Sequence, residues 1–217
     1  MVGKKKQLIR KIVHPNPVRL SKPRITPLEG AQLTIEMEKL IDKTEWDRVV
    51  QPFIEETKKS NRGSVPNVWA TLARHRDLLF RLYMIANYIY SHSTLPARDR
   101  EMLILRTAWL RHSEYEWGQH VQIVKQCDLL SGDEINRIME GPDAEGWNPS
   151  DATLIRSVDE LHTDAFITEA TWKALVKRYN THQLMDLVFT VGQYHMAAMV
   201  LNTIGVQLEE GVKGFQE

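Results

Sequence analysis

From Pro27 onward the apolar residues of this chain recur every three to four positions, and almost nowhere every second one. The first spacing is the period of a helix face and the second that of a strand, so the pattern calls for helices and gives no sheet to build on. Leu33, Ile35, Met37, Leu40 and Ile41 begin one amphipathic run, and Val49, Val50, Phe53 and Ile54 form another. Residues 58–65 have loop composition, and Pro66 stands where a helix can start. Leu79, Leu82, Tyr83, Ala86, Ile89 and Tyr90 predict a helix over 78–91. Pro96 opens the next, with Asp99 and Glu101 in early turns where the helix dipole favours negative charge, and an apolar body from Met102 to Leu110. Further helices are predicted over 113–127, after a capping box of Ser131 and Glu134, and over 152–161, 169–178 and 183–208, the last with breaks available at Gly192 or Gly205. Gly141, Pro142, Gly146 and Pro149 mark a long loop. The expected fold class is all-α.

The chain divides into a basic, Pro-containing arm over 1–27 and a single helical domain over 28–217. All charges from Met1 to Arg24 are basic, and Pro15, Pro17 and Pro23 interrupt any helix there. No aromatic residues interleave with them, so the arm is expected to be solvated or to lie over a neighbouring subunit rather than to bind a nucleic acid strand. Its 217 residues balance to a net charge of +0, which gives no global attraction to nucleic acid or an acidic membrane. Cys127 is the single cysteine, so no disulfide can form within the chain, and it is expected to be a buried or interface thiol. No stretch was expected to approach the ~20 apolar residues of a membrane span, nor does the start carry a secretory apolar core. Cytoplasmic placement follows as the expectation.

The residues able to do chemistry gather between Pro96 and Cys127. His112, Glu116 and His120 are spaced i, i+4, i+8, which puts all three on one helix face. Glu101 precedes them on a helix whose antiparallel packing would set it opposite that face. A carboxylate beside an imidazole orients the ring, fixes which nitrogen carries the proton, and makes an acid/base unit near neutral pH. The same face admits a second reading as a metal site, although ligands at i and i+8 lie about 12 Å apart along a straight helix. A third reading is a pair of salt-bridged helices with no catalytic role. A weak internal echo, Thr107-Ala108 with His112 and Thr190-Val191 with His195, also falls in long helices.

The run Leu95-Pro96-x-Arg98-x-Arg100-Glu101-x-x-Ile104-Leu105-Arg106, followed by Glu114-Tyr115-Glu116-Trp117-Gly118-Gln119-His120, resembles the carboxymuconolactone decarboxylase and alkylhydroperoxidase D-like family. Pro66-Asn67-Val68 and Leu72-Ala73-Arg74-His75 resemble its lead-in helix. The resemblance implies an alkylhydroperoxidase D-like helical bundle with a glutamate, a Cys-x-x-Cys and a histidine four residues on. These fall on Glu101, on Ser113 and Glu116, and on His120. A serine and a glutamate form no disulfide and offer no thiolate, so thiol-based peroxide reduction is excluded at this site.

What the resemblance leaves is the proton-handling half. It implies a lyase or isomerase working without a cofactor on a small carboxylated, ring-derived or lactone metabolite. His120 would carry the proton, Glu101 would orient it, and Glu116 would act as a second acid or base. Arg106 is the expected anion clamp, with an interhelical salt bridge to Glu101 as the alternative. Ser113 and Tyr115 are the other expected substrate contacts, and Tyr83, Tyr88, Trp109 and Trp117 are further candidates to line an apolar pocket. The resemblance also implies a homo-oligomer, a trimer or a multiple of trimers. The rivals are a metal-dependent enzyme using His112, Glu116 and His120, and a catalytically idle helical scaffold.

Overall fold

The computed structural model describes residues 20–39 and 65–215. Among these residues there are nine α-helices and no strand: α1 Gly30–Lys39, α2 Asn67–Leu72, α3 Arg76–Asn87, α4 Ala97–Leu110, α5 Glu114–Gln126, α6 Gly132–Glu140, α7 Pro149–Asp164, α8 Glu169–Leu175 and α9 Thr181–Ile204. The all-α expectation holds. The run at 49–54 and most of the basic arm lie outside the described residues. The described part of the arm, from Leu20, packs on the domain: the Arg24 backbone N–H donates to Ile204 O at 2.8 Å, and Gln207 donates to Leu20 O at 3.1 Å.

Helix α4 is the axis of the bundle. Met102, Leu103, Ile104 and Leu105 are four consecutive residues with no exposed surface, so α4 is covered on every side. Each such side chain contributes roughly 1.5–3 kcal/mol by leaving water. α5 folds back on α4 through a tight turn in which Ser113 N–H donates to Ala108 O. α7 runs parallel to α4, since Arg98 reaches Asp151 near one end and Arg106 reaches Asp159 near the other. α9 is also parallel to α4: Thr94 binds Asp186 at one end, and Asn202 donates to Arg111 O at the other.

Several local expectations are met in detail. Pro66 and Pro96 occupy the N-caps of α2 and α4, and Ser131 with Glu134 forms the capping box of α6. α9 runs unbroken through Gly192 and stops at Gly205, whose φ of +79° is left-handed. The helix predicted over 78–91 is α3 continued by a π-turn, Tyr88–His92. That turn is held by Asp186, which accepts from the Tyr88 hydroxyl at 2.9 Å.

Two expectations are corrected. α9 has 24 residues and is apolar enough by composition to span a bilayer, contrary to the reading that no stretch comes near this length. Its apolar character is used in packing on one face, where Leu187, Val191 and Ala198 are buried; Met185, Phe189 and Met199 on the other face are exposed. Cys127 is exposed in the single chain, as the C-cap of α5, and is not buried.

Candidate active site

Glu101 and His120 meet inside the α4–α5 hairpin, with Glu101 Oε2 at 2.6 Å from His120 Nδ1. Antiparallel packing brings together two positions 19 residues apart. Glu101 has no exposed surface, while the His120 side chain keeps 10% of its own. A contact this short between carboxylate and imidazole is charge-assisted, about twice as strong as a neutral hydrogen bond. With Nδ1 engaged by the carboxylate, Nε2 is the ring nitrogen left for a ligand.

Glu116 stands one turn before His120 on α5 and is buried. Among the described residues neither of its carboxylate oxygens has a hydrogen-bond partner. Burial holds its carboxyl well above the ordinary carboxylate range, and the nearby Ser113 hydroxyl only partly opposes this. Ser113 occupies the N-cap of α5, a position where serine usually accepts a backbone N–H, yet its side chain caps nothing. Its Oγ is buried near Glu116 without completing a hydrogen bond of standard geometry.

Tyr194 joins these groups from α9. Its ring meets that of His120 edge to face at 5.0 Å. Burial raises its phenol well above the usual value, and the charges of Glu101 and Glu116 raise it further while Arg100 opposes them. Tyr194 is therefore the common neighbour of both carboxyl groups and the histidine. Thr190, one turn earlier on the same face of α9, has a buried Oγ1 without a partner.

Arg100 is the cation at this site. Its Nη2 lies 3.5 Å from Glu101 Oε1, a long contact, and its Nε is buried and unpartnered. The guanidinium stacks over Tyr90 at 5.3 Å, a ring delivered by the π-turn after α3. From the sequence, none of Arg100, Tyr90, Thr190 and Tyr194 was expected at the site. Arg100 had a signal in its position beside Glu101; Tyr194 had none short of the α4–α9 packing.

The structure corrects four expectations. Arg106 is not at the site; it makes the interhelical salt bridge that was its alternative reading, with Asp159 in place of Glu101, gripping it bidentately at 2.7 and 2.8 Å and donating to the carbonyls of Ile138 and Met139. His112 is not on the helix of His120. It lies in the preceding turn with a φ of +52°, and α5 begins only at Glu114, so the three-residue face of the metal reading does not exist. Among the described residues no group of three His, Cys, Asp or Glu side chains is placed to hold a metal ion. Tyr115 points to the other side of α5, where its hydroxyl donates to Glu209 at 2.6 Å. Of the expected pocket aromatics, Tyr83 is core, Tyr88 is tied to Asp186, and Trp109 and Trp117 pack with Phe215.

The fold has solved counterparts. A peroxidase-related protein with an alkylhydroperoxidase AhpD core, from Ralstonia eutropha JMP134, is 16% identical over 86% of this chain and 93% of its own, with a TM-score of 0.69. A peroxidase-related protein from Silicibacter sp. TM1040 is 17% identical over 93% of this chain and 97% of its own, with a TM-score of 0.67. The debrominase Bmp8, in complex with 2,3,4-tribromopyrrole, is 12% identical over 88% of this chain and 94% of its own, with a TM-score of 0.63. No curated protein sequence matches the chain. Residues 77–149, which carry Glu101, Ser113, Glu116 and His120, match the Carboxymuconolactone decarboxylase family. That match covers about a third of the chain, and across most of its length the chain shares the AhpD-like fold of these solved structures.

Proposed function

We propose that this protein is a cofactor-independent lyase or isomerase that moves a proton on a small, carboxylated, ring-derived metabolite. The observation that carries the reading is the buried Glu101–His120 pair at 2.6 Å set beside Glu116, a carboxyl that burial holds well above the ordinary carboxylate range. The two halves differ in the way acid/base catalysis requires: an imidazole with one nitrogen fixed by a carboxylate accepts a proton, and a neutral carboxylic acid delivers one. His120 Nε2 removes the proton from the substrate, Glu101 stabilises the imidazolium that forms, and Glu116 protonates the carbon or oxygen where charge develops. In a decarboxylation the C–C bond breaks, carbon dioxide leaves, and the electron pair left on the ring is quenched by the Glu116 proton.

Arg100 takes the role first given to Arg106. A guanidinium with an unpartnered buried Nε is suited to a carboxylate, and its Tyr90 stack holds it in place. Ser113, Thr190 and Glu116 leave four buried oxygens without partners, each costing roughly 1–3 kcal/mol in an empty site and available to a polar ligand. The ring complexed by Bmp8 is in keeping with a small ring in this fold. The exposed apolar face of α9, with Met185, Phe189 and Met199, supports a homo-oligomer of the trimeric kind.

The test is a turnover screen of small lactone and aromatic acids against the wild type and four variants. Any substrate found should lose about 10²–10⁴-fold in kcat with His120→Ala or Glu116→Gln. Arg100→Gln should act mainly through KM. Full turnover by His120→Ala and Glu101→Gln would defeat the mechanism, and binding without turnover would favour the idle scaffold.

A further inference from the structure

Outside the Glu101–His120 site, three more buried nitrogens have no partner: Arg111 Nε, His162 Nδ1 and His195 Nε2. They come from three elements, the C-cap of α4, the last turn of α7 and the middle of α9. The two imidazoles meet edge to face at 5.4 Å. His195 follows Tyr194 directly, but consecutive helix residues point about 100° apart, so Tyr194 serves one site and His195 the other.

The charges around this cluster are lopsided. His162 is acted on by Arg111, Asp159, Arg106 and His112, and His195 by His162 and Arg111. The single acid among them, Asp159, is closed off by its bidentate pair with Arg106. Burial, then the neighbouring cations, lowers both imidazoles from their ordinary value, that of His195 to about 4. Among the described residues no carboxylate pairs with Arg111, which opposes a metal cation here and favours an anion. Arg111, His162 and His195 are each only half-buried, so solvent reaches the edge of the cluster.

We infer that Arg111, His162 and His195 form a second binding site, separate from the catalytic one, for a small oxyanion of phosphate-like size and charge. A guanidinium and two imidazoles from three helices supply unpartnered nitrogens, the donor types that an oxyanion accepts. Binding makes protonation of the rings favourable, because the anion replaces the repulsion of Arg111 with attraction. Anion affinity and ring protonation are thereby linked, and each strengthens the other by the same factor.

The test is side-chain NMR of the histidine rings in the full chain, titrated with inorganic phosphate and, separately, with sulfate, which stays dianionic across the range. The expected result is a saturable rise of about one unit in the apparent pKa of His162 and His195, with the exposed His75 and His182 unmoved. Sulfate should bind about tenfold more tightly at pH 5 than at pH 7. Arg111→Gln should abolish the rise and Arg111→Lys should keep part of it, with the circular dichroism of both variants reporting that they fold. No rise in either ring, an equal rise in His75 and His182, or an undiminished rise in folded Arg111→Gln would each overturn the assignment.

Discussion

Arg106 and Asp159 form a two-point ion pair across α4 and α7, and the same guanidinium closes the last carbonyls of α6 through Ile138 and Met139. Gly141, with a φ of +109°, is what lets the arginine lie so close: a Cβ there would stand 2.9 Å from Nη2. One side chain thus joins three helices. Arg106→Met leaves a carboxylate and two carbonyls without their donor, and we expect a loss of roughly 3 kcal/mol in denaturant unfolding. Turnover per folded molecule should stay at the wild-type level, which separates this role from that of a substrate clamp.

Glu116 predicts an unusual pH dependence of stability. Its folded carboxyl titrates well above 4.5, the value for an unburied glutamate, so between the two the folded state holds a proton that the unfolded state has lost. Its contribution is full below pH 4.5 and falls as pH rises through the folded value. Glu116→Gln, which cannot ionise, should gain on the wild type as pH is raised above 4.5 in urea melts. A constant difference across pH would show that Glu116 ionises freely.

His195 gives the opposite sign. Its folded value near 4 lies below the ordinary 6.5, so the unfolded state takes up the proton first as pH falls. Stability is complete above pH 6.5 and declines toward pH 4. His195→Gln should shallow that acid limb without altering the midpoint at pH 8, read by thermal melts in buffers free of phosphate and sulfate.

Gly118 marks where the C-terminal segment crosses α5. A Cβ at this position would stand 2.6 Å from the Lys213 carbonyl, a backbone atom with little room to give. Beyond it Phe215 packs edge-on against Trp109 at 5.0 Å, and Glu209 takes the Tyr115 and Gln119 side chains. Gly118→Ala should lift this segment, lower stability by about 1–3 kcal/mol and shift tryptophan emission toward that of exposed indole. Unchanged emission and stability would mean that the crossing relaxes at no cost.

The helical class, the capping box at Ser131 and the Glu101–His120 partnership were all legible in the chain, because period, caps and hairpin packing are local or nearly so. The failures share a cause as well. Arg106 was assigned to the site for being on the same helix as Glu101, but five residues turn a helix about 140° and send it to α7. His112 fitted an i, i+4, i+8 pattern that holds only if the helix starts before it, and a left-handed residue starts no helix. Tyr194 and Tyr90 arrive through tertiary packing and an extra residue in a π-turn, neither of which leaves a periodic mark.

The parallel course of α4, α7 and α9 has a consequence for how charge is sorted along the molecule. Their peptide dipoles add instead of cancelling, so the shared N-terminal end is electropositive and the shared C-terminal end electronegative. The chain answers with buried Asp99, Asp151 and Asp186 near the first and Arg111 near the second. Exchanging these two sets would leave every apolar position and every helix propensity nearly untouched. The bundle would then place like with like at both ends, at a cost of about 0.3–1 kcal/mol for each misplaced charge.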